Sequence, residues 1–198
     1  MLVAADLRSY NVETGLDNRT SLSIRAIRPD DKQRLVEHFE RLGPDSHYRR
    51  FSGFHRSFTP EELQYMTNPN FLEYGAIVAM VRDSYRDEYI VGEGCYQASP
   101  DGRFAEFALS VLDPYQRRGI GSLLLLHLAR LAGHWGVNMF QADVLASNRN
   151  ALSFLVRRGF QPLGSSAGMC RLSLSLGQRL VANRQVDHYT AVNLQRDN

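Results

Sequence analysis

With 198 residues, the chain has room for one ordinary domain and a short appendage, but not for two independent cores. Its 43% hydrophobic and 22% charged residues exclude disorder over most of the length, and 23 basic against 21 acidic side chains exclude wholesale coating of nucleic acid. Lys32 is the only lysine, which sets aside Schiff-base chemistry, and two cysteines, Cys95 and Cys170, cannot build a zinc site alone. No apolar run is long enough for a membrane span, and the N-terminus lacks the pattern of a secretory leader, so a reducing cytoplasm is the expected compartment.

Residues 1–20 are polar and aperiodic and read as a loose N-terminal extension. Leu22, Ile24 and Ile27 fit a strand, and Leu35, Val36, Phe39 and Leu42 follow helical spacing up to Gly43-Pro44. Thr59-Pro60-Glu61-Glu62 opens another helix, with an arginine-aromatic loop from His47 to Phe58 between the two, whose Tyr48, Phe51, Phe54 and Phe58 fit the spacing of one buried helical or turn face. Gly75–Val81, Tyr89–Gln97 and Phe104–Leu112 are β-rich runs joined by polar turns, which predicts an antiparallel meander. From Ile120, residues Leu123, Leu124, Leu128 and Leu131 give a helix closed by Gly136. A strand over Asn138–Leu145, a helix over Asn148–Arg158, and strands over Phe160–Leu163 and Met169–Leu176 complete a domain spanning 21–176, leaving 177–198 as a C-terminal tail.

The strongest chemical signal is Gln116-Arg117-Arg118-Gly119-Ile120-Gly121-Ser122, lying between a strand and a long helix. A helix N-terminus presents unpaired N–H groups and a positive dipole end, and glycines let a phosphate approach the backbone. A P-loop is excluded because no Gly-Lys-Ser/Thr follows, and Leu124 stands where a dinucleotide fingerprint needs its third glycine.

The segment resembles the Q/R-x-x-G-x-G motif of the GNAT acyltransferase superfamily, and Asn148 to Phe160 resembles that family's second signature, an Asn-x-x-Ala helix closed by Gly-Phe. The resemblance implies an α/β (α+β) domain with a mixed, mostly antiparallel central sheet flanked by helices. It also implies acetyl-CoA as cosubstrate. The pyrophosphate would lie on the N–H groups of Arg118, Gly119, Gly121 and Ser122, in the loop that also holds Gln116, Arg117 and Ile120. The pantetheine would pair beside Ser110 and Val111, with Asn148 near its thiol end. Residues 39–51, with 58–63, resemble the acceptor side of bacterial protein-lysine acetyltransferases that act on acyl-CoA synthetases. That implies a protein lysine, such as one on an acyl-CoA synthetase, as acceptor. Small amines or polyamines, and a non-catalytic acyl-CoA sensor, are the alternative readings. No nucleic-acid, membrane or metal partner is expected.

Acyl transfer to an amine needs a base, because a lysine ammonium with pKa near 10.4 is neutral at only about one part in a few thousand at pH 7. Strand alternation groups Glu106 with Ala108 and Ser110 on one face, so Glu106 is the expected base, and it matches the catalytic glutamate of the resembling enzymes. Glu93 on the preceding strand is the second candidate, and a thioester on Cys95 is the least favoured route. The tyrosine that protonates the leaving thiolate in many relatives is replaced by Leu155, for which Ser153 and Tyr115 are weak substitutes.

Overall fold

The computed structural model describes residues 7–16, 21–51, 57–82 and 88–177. One eight-stranded sheet organises them: β1 (Asn11–Gly15), β2 (Ser21–Ala26), β3 (Tyr74–Arg82), β4 (Glu88–Ala98), β5 (Phe104–Val111), β6 (Met139–Leu145), β7 (Gln161–Ser166) and β8 (Met169–Ser175). The spatial order is β1-β2-β3-β4-β5-β6-β8-β7, and every pairing is antiparallel except β5 with β6. Among the described residues five α-helices flank it: α1 (Lys32–Glu40), α2 (Pro44–Phe51), α3 (Pro60–Met66), α4 (Ile120–His134) and α5 (Arg149–Arg157). No described helix is long and apolar enough to cross a membrane.

The elements start where local chemistry dictates. Thr59 and Glu62 form a reciprocal capping box at α3, with Pro60 in the first turn. The buried Asp31 carboxylate takes a two-pronged contact from Arg25, at 2.6 and 2.7 Å, and the Arg28 N–H at 2.9 Å, which ties the start of α1 to β2. α4 buries Leu124, Leu125 and Leu128 on one face of the sheet, while α1 reaches the opposite face through His38.

The meander, the long helix and the closing strands stand where the periodicity puts them. Two expectations fail. Asn11–Gly15 is not loose extension: it pairs with β2 and buries Val12, and Leu7 just before it is also buried. The arginine-aromatic loop begins as the helix α2, whose Phe51 packs with Phe58 against Phe39 at ring distances of 4.9 and 5.2 Å, whereas Tyr48 is exposed. Phe54 and the tail beyond residue 177 lie outside the described residues.

Candidate active site

The site is built by a split in the sheet. Parallel strands β5 and β6 pair only through Phe104–Glu106 and Met139–Gln141, and then they part. On its other edge β5 stays paired with β4 as far as Val111. The Leu112 N–H donates to the Val91 carbonyl at 2.9 Å, which fixes the phase of the ladder: the backbone groups of Glu106, Ala108 and Ser110 face β4, and those of Phe107, Leu109 and Val111 face the split. Unpaired backbone groups at a strand edge can accept an extended amide-bearing arm as a further strand.

At the far end of β5 the chain turns through Asp113–Tyr115 into the glycine loop. Asp113 accepts the Gly43 N–H at 2.8 Å and the Ser46 hydroxyl at 2.7 Å, which pins the α1–α2 junction to the loop. Gly119 has φ +91°, a left-handed conformation that strains any side chain, and a Cβ built on it would meet nothing within 4 Å. A Cβ on Gly121 would point between Phe154, 3.6 Å away, and Leu109, at the mouth of the split. The first α-type bond of α4 runs from the Leu123 N–H to the Gly119 carbonyl at 3.1 Å, so the Ile120 and Gly121 N–H groups belong to the unbonded first turn.

The residues expected to hold the cosubstrate divide accordingly. Gly119, Ile120 and Gly121 line the open loop, and Arg117 and Arg118 are exposed beside it, with the Arg118 guanidinium 5.4 Å from the centre of the Tyr115 ring. The Ser122 N–H, by contrast, is taken by the Gly119 carbonyl at 2.9 Å. Gln116 stays exposed, its amide donating to the Val111 carbonyl, Asp113 and Ser46. Ser110 departs furthest from expectation: it is buried, its backbone is committed to β4, and its hydroxyl meets His38 Nε2 at 2.8 Å. Val111 does face the split. Asn148 caps α5 by accepting the Ala151 N–H at 3.2 Å, and Leu155 is buried in the core, where it offers no proton.

The two carboxylates differ in kind. Glu93 is buried and held by Arg50 Nη2 at 3.2 and 3.4 Å. Glu106 is exposed, takes part in no hydrogen bond or ion pair among the described residues, and stands on the last rung before the split. Cys95 is a poor nucleophile because burial and the neighbouring Glu93 charge push its thiol up to about 12, so it stays protonated.

Two contributors were not among the residues singled out in the sequence. Arg158 reaches back from the end of α5 to the Ser122 hydroxyl in the first turn of α4, Nε at 3.1 Å and Nη2 closer, with its guanidinium over the Phe154 ring. His38 joins α1 to both central strands, through Ser110 and through its Nδ1, 3.2 Å from the Ile90 carbonyl. A carbonyl only accepts, so Nδ1 bears the proton and Nε2 accepts from Ser110. Burial holds the ring pKa down at about 4, against the opposing pull of Glu93, so it is neutral at pH 7. The helical spacing of Leu35, His38, Phe39 and Leu42 was the available hint that this histidine faces inward.

Comparison with known proteins agrees with this geometry. Residues 34–160 match the model of the Acetyltransferase (GNAT) family. The chain is similar to acetyltransferase PA5475 of Pseudomonas aeruginosa, with 27% identity over 145 residues, 73% of this chain and 77% of that one. It is also similar to acetyltransferase Pat of Mycolicibacterium smegmatis, with 28% identity over 136 residues, 69% of this chain but 40% of that protein. The crystal structure of the GNAT domain of S. lividans PAT superposes with a TM-score of 0.74 at 25% identity, covering 83% of this chain and 96% of that one. A split sheet with an open glycine loop at its mouth fits the acetyl-CoA that these acetyltransferases use, and the chain belongs to the GNAT family of acetyltransferases.

Proposed function

We propose that the protein transfers an acetyl group from acetyl-CoA to a lysine side chain of a protein, by direct attack of the amine with Glu106 as general base. The observation that carries this reading is the state of Glu106: an exposed carboxylate in no hydrogen bond or ion pair among the described residues, on the last β5–β6 rung before the strands part. The acetyl thioester supplies the activated carbonyl. The chain supplies the rest. Phe107 and Leu109 offer backbone groups to the pantetheine arm, Val111 adds its N–H while its carbonyl is held by Gln116, and the Ile120 and Gly121 N–H groups, with the positive end of α4, receive the diphosphate. The role expected of Ser110 passes to its neighbours Leu109 and Val111, because its own backbone is already paired with β4.

Glu106 takes a proton from the acceptor ammonium, and the neutral nitrogen attacks the carbonyl carbon. The carbon–sulfur bond breaks, the nitrogen's second proton passes to solvent, and the coenzyme leaves as a thiolate, tolerable near neutral pH since a free thiol has pKa about 8.5. Glu93 is unsuited to this task because its charge is engaged by Arg50. The likeness of residues 39–51 and 58–63 to protein-lysine acetyltransferases supports a lysine acceptor. Incubating the protein with labelled acetyl-CoA and a panel of proteins and polyamines tests the reading. Label on protein lysines supports it, and label on polyamines alone replaces the acceptor with a small amine.

A further inference from the structure

Glu106 belongs to a row. Through the strand registers Gln97 is paired with Glu106, Glu106 with Gln141, Gln141 with Ser173 and Ser173 with Gln161, so five residues from five adjacent strands line up across one face of the sheet. Directly paired residues project to the same side of a sheet. The alternation agrees: Phe107, Phe140, Ala142, Leu172 and Leu174 on the other face are buried, whereas Gln97, Glu106 and Gln161 are exposed and Gln141 and Ser173 half-buried. At one end the exposed Tyr65 donates its hydroxyl to Gln97 Oε1 at 2.5 Å. Along the flank, Asp143 and Arg171 neutralise each other in a two-pronged pair at 2.8 and 2.6 Å.

We infer that this row is a track for an extended peptide, which binds the substrate backbone through the Gln97, Gln141, Ser173 and Gln161 side chains and delivers its lysine to Glu106. The inference rests on the reading of Glu106 as base. The occupant follows from the chemistry. Three amides and a hydroxyl each donate and accept, which matches the one N–H and one C=O of every peptide residue, and Glu106 is the row's single charge, opposite in sign to a lysine ammonium. The row also runs into the candidate catalytic residue. At roughly 4.8 Å per strand it spans about 19 Å, the length of five or six extended residues. Because Glu106 is second in the row, about four of them lie on the Gln141 side of the lysine. The track is therefore one-sided.

The test compares kcat/KM for three probes: Nα-acetyl-lysine N-methylamide, and peptides in which one lysine carries four Gly/Ala/Ser residues on its N-terminal or its C-terminal side alone. The expected result is that one flank, and not the other, raises kcat/KM tenfold or more. Exchanging both Ser173 and Gln161 for alanine should cut that peptide-to-single-lysine ratio at least fivefold. Equal kcat/KM for all three probes, or a double variant that keeps the ratio, overturns the track while Glu106-dependent acetylation leaves the reading of the base standing. Failure of the wild-type protein to acetylate any amine overturns both. A dimer in sedimentation that Ser173→Arg dissolves would assign the face to a second copy and also overturn the track.

Discussion

Glu106 and Glu93 stand on the same face of neighbouring strands, but Glu93 is paired with Ser110 and Glu106 with Gln97, a separation of four residues along β5. At about 3.3 Å per residue that is roughly 13 Å, too far for the two carboxylates to flank one amine. Glu93 instead holds the Arg50 guanidinium, which lies against Phe39 and Phe51 and has a buried Nε without a partner among the described residues.

Glu93→Gln should therefore act on stability. Removing the carboxylate charge leaves Arg50 buried and uncompensated, at a cost of about 3 kcal/mol in denaturant unfolding. The pH dependence of turnover should keep its shape. A flattened pH profile in a folded Glu93→Gln protein would make Glu93 part of the proton-transfer machinery.

Access to the glycine loop should govern cosubstrate affinity. The fold itself tolerates a side chain at Gly121, where a Cβ makes ordinary contacts, so Gly121→Val should remain folded yet bind acetyl-CoA tenfold or more weakly, about 1.4 kcal/mol by calorimetry. Gly119→Val adds backbone strain because of its positive φ, so it should lose both affinity and stability. Arg117→Ala should weaken binding less than either. An unchanged Kd in a folded Gly121→Val protein would place the diphosphate elsewhere.

Arg158 holds a cation at the positive end of α4, an arrangement that becomes favourable when an anion sits between them. Arg158→Ala should raise the Kd for acetyl-CoA roughly threefold to tenfold, about 0.7–1.4 kcal/mol, with a smaller difference at high salt. It should not lower the stability of the unliganded protein. Equal affinity across ionic strength would reduce Arg158 to a packing role over Phe154.

Acid should unfold the protein through two histidines. Burial holds His38 and His127 at about 4, whereas in the unfolded chain both titrate near 6.5. The unfolded state therefore binds more protons, and stability is lost as pH falls from about 6.5 towards about 4, by up to about 1.4 kcal/mol per pH unit for each ring. His38→Gln should be less stable at pH 7 but show a shallower loss between pH 6.5 and 4.5 in urea titrations. An unaltered slope would show that His38 is not held neutral by the fold.

Much of this was legible in the sequence because it is local. Helical spacing after Ile120, alternation through Phe104–Val111 and the glycine loop each declare themselves within a dozen residues. β1 was missed because a short edge strand with only Val12 buried has no visible period. The aromatic spacing around Tyr48 and Phe51 reads as one helical or turn face, but α2 was not delimited as a helix because none of its residues is fully buried. Alternation assigns side-chain faces but not the direction of backbone groups, which is why Ser110 looked like a pantetheine partner until the β4 ladder fixed its phase. The contacts of Arg158 with Ser122 and of His38 with Ser110 join residues 36 and 72 positions apart, beyond any local pattern.

The direct test of the account is the pH–rate profile of Glu106→Gln with acetyl-CoA and a lysine acceptor. The substitution keeps the shape and removes the base, so turnover at neutral pH should fall by roughly 10²–10⁴-fold with acetyl-CoA affinity almost unchanged. The residual rate should climb with pH, as solvent supplies the neutral amine that the carboxylate otherwise generates. Near-normal turnover at pH 7, or a loss that rising pH does not relieve, would contradict the assignment of Glu106 as the base.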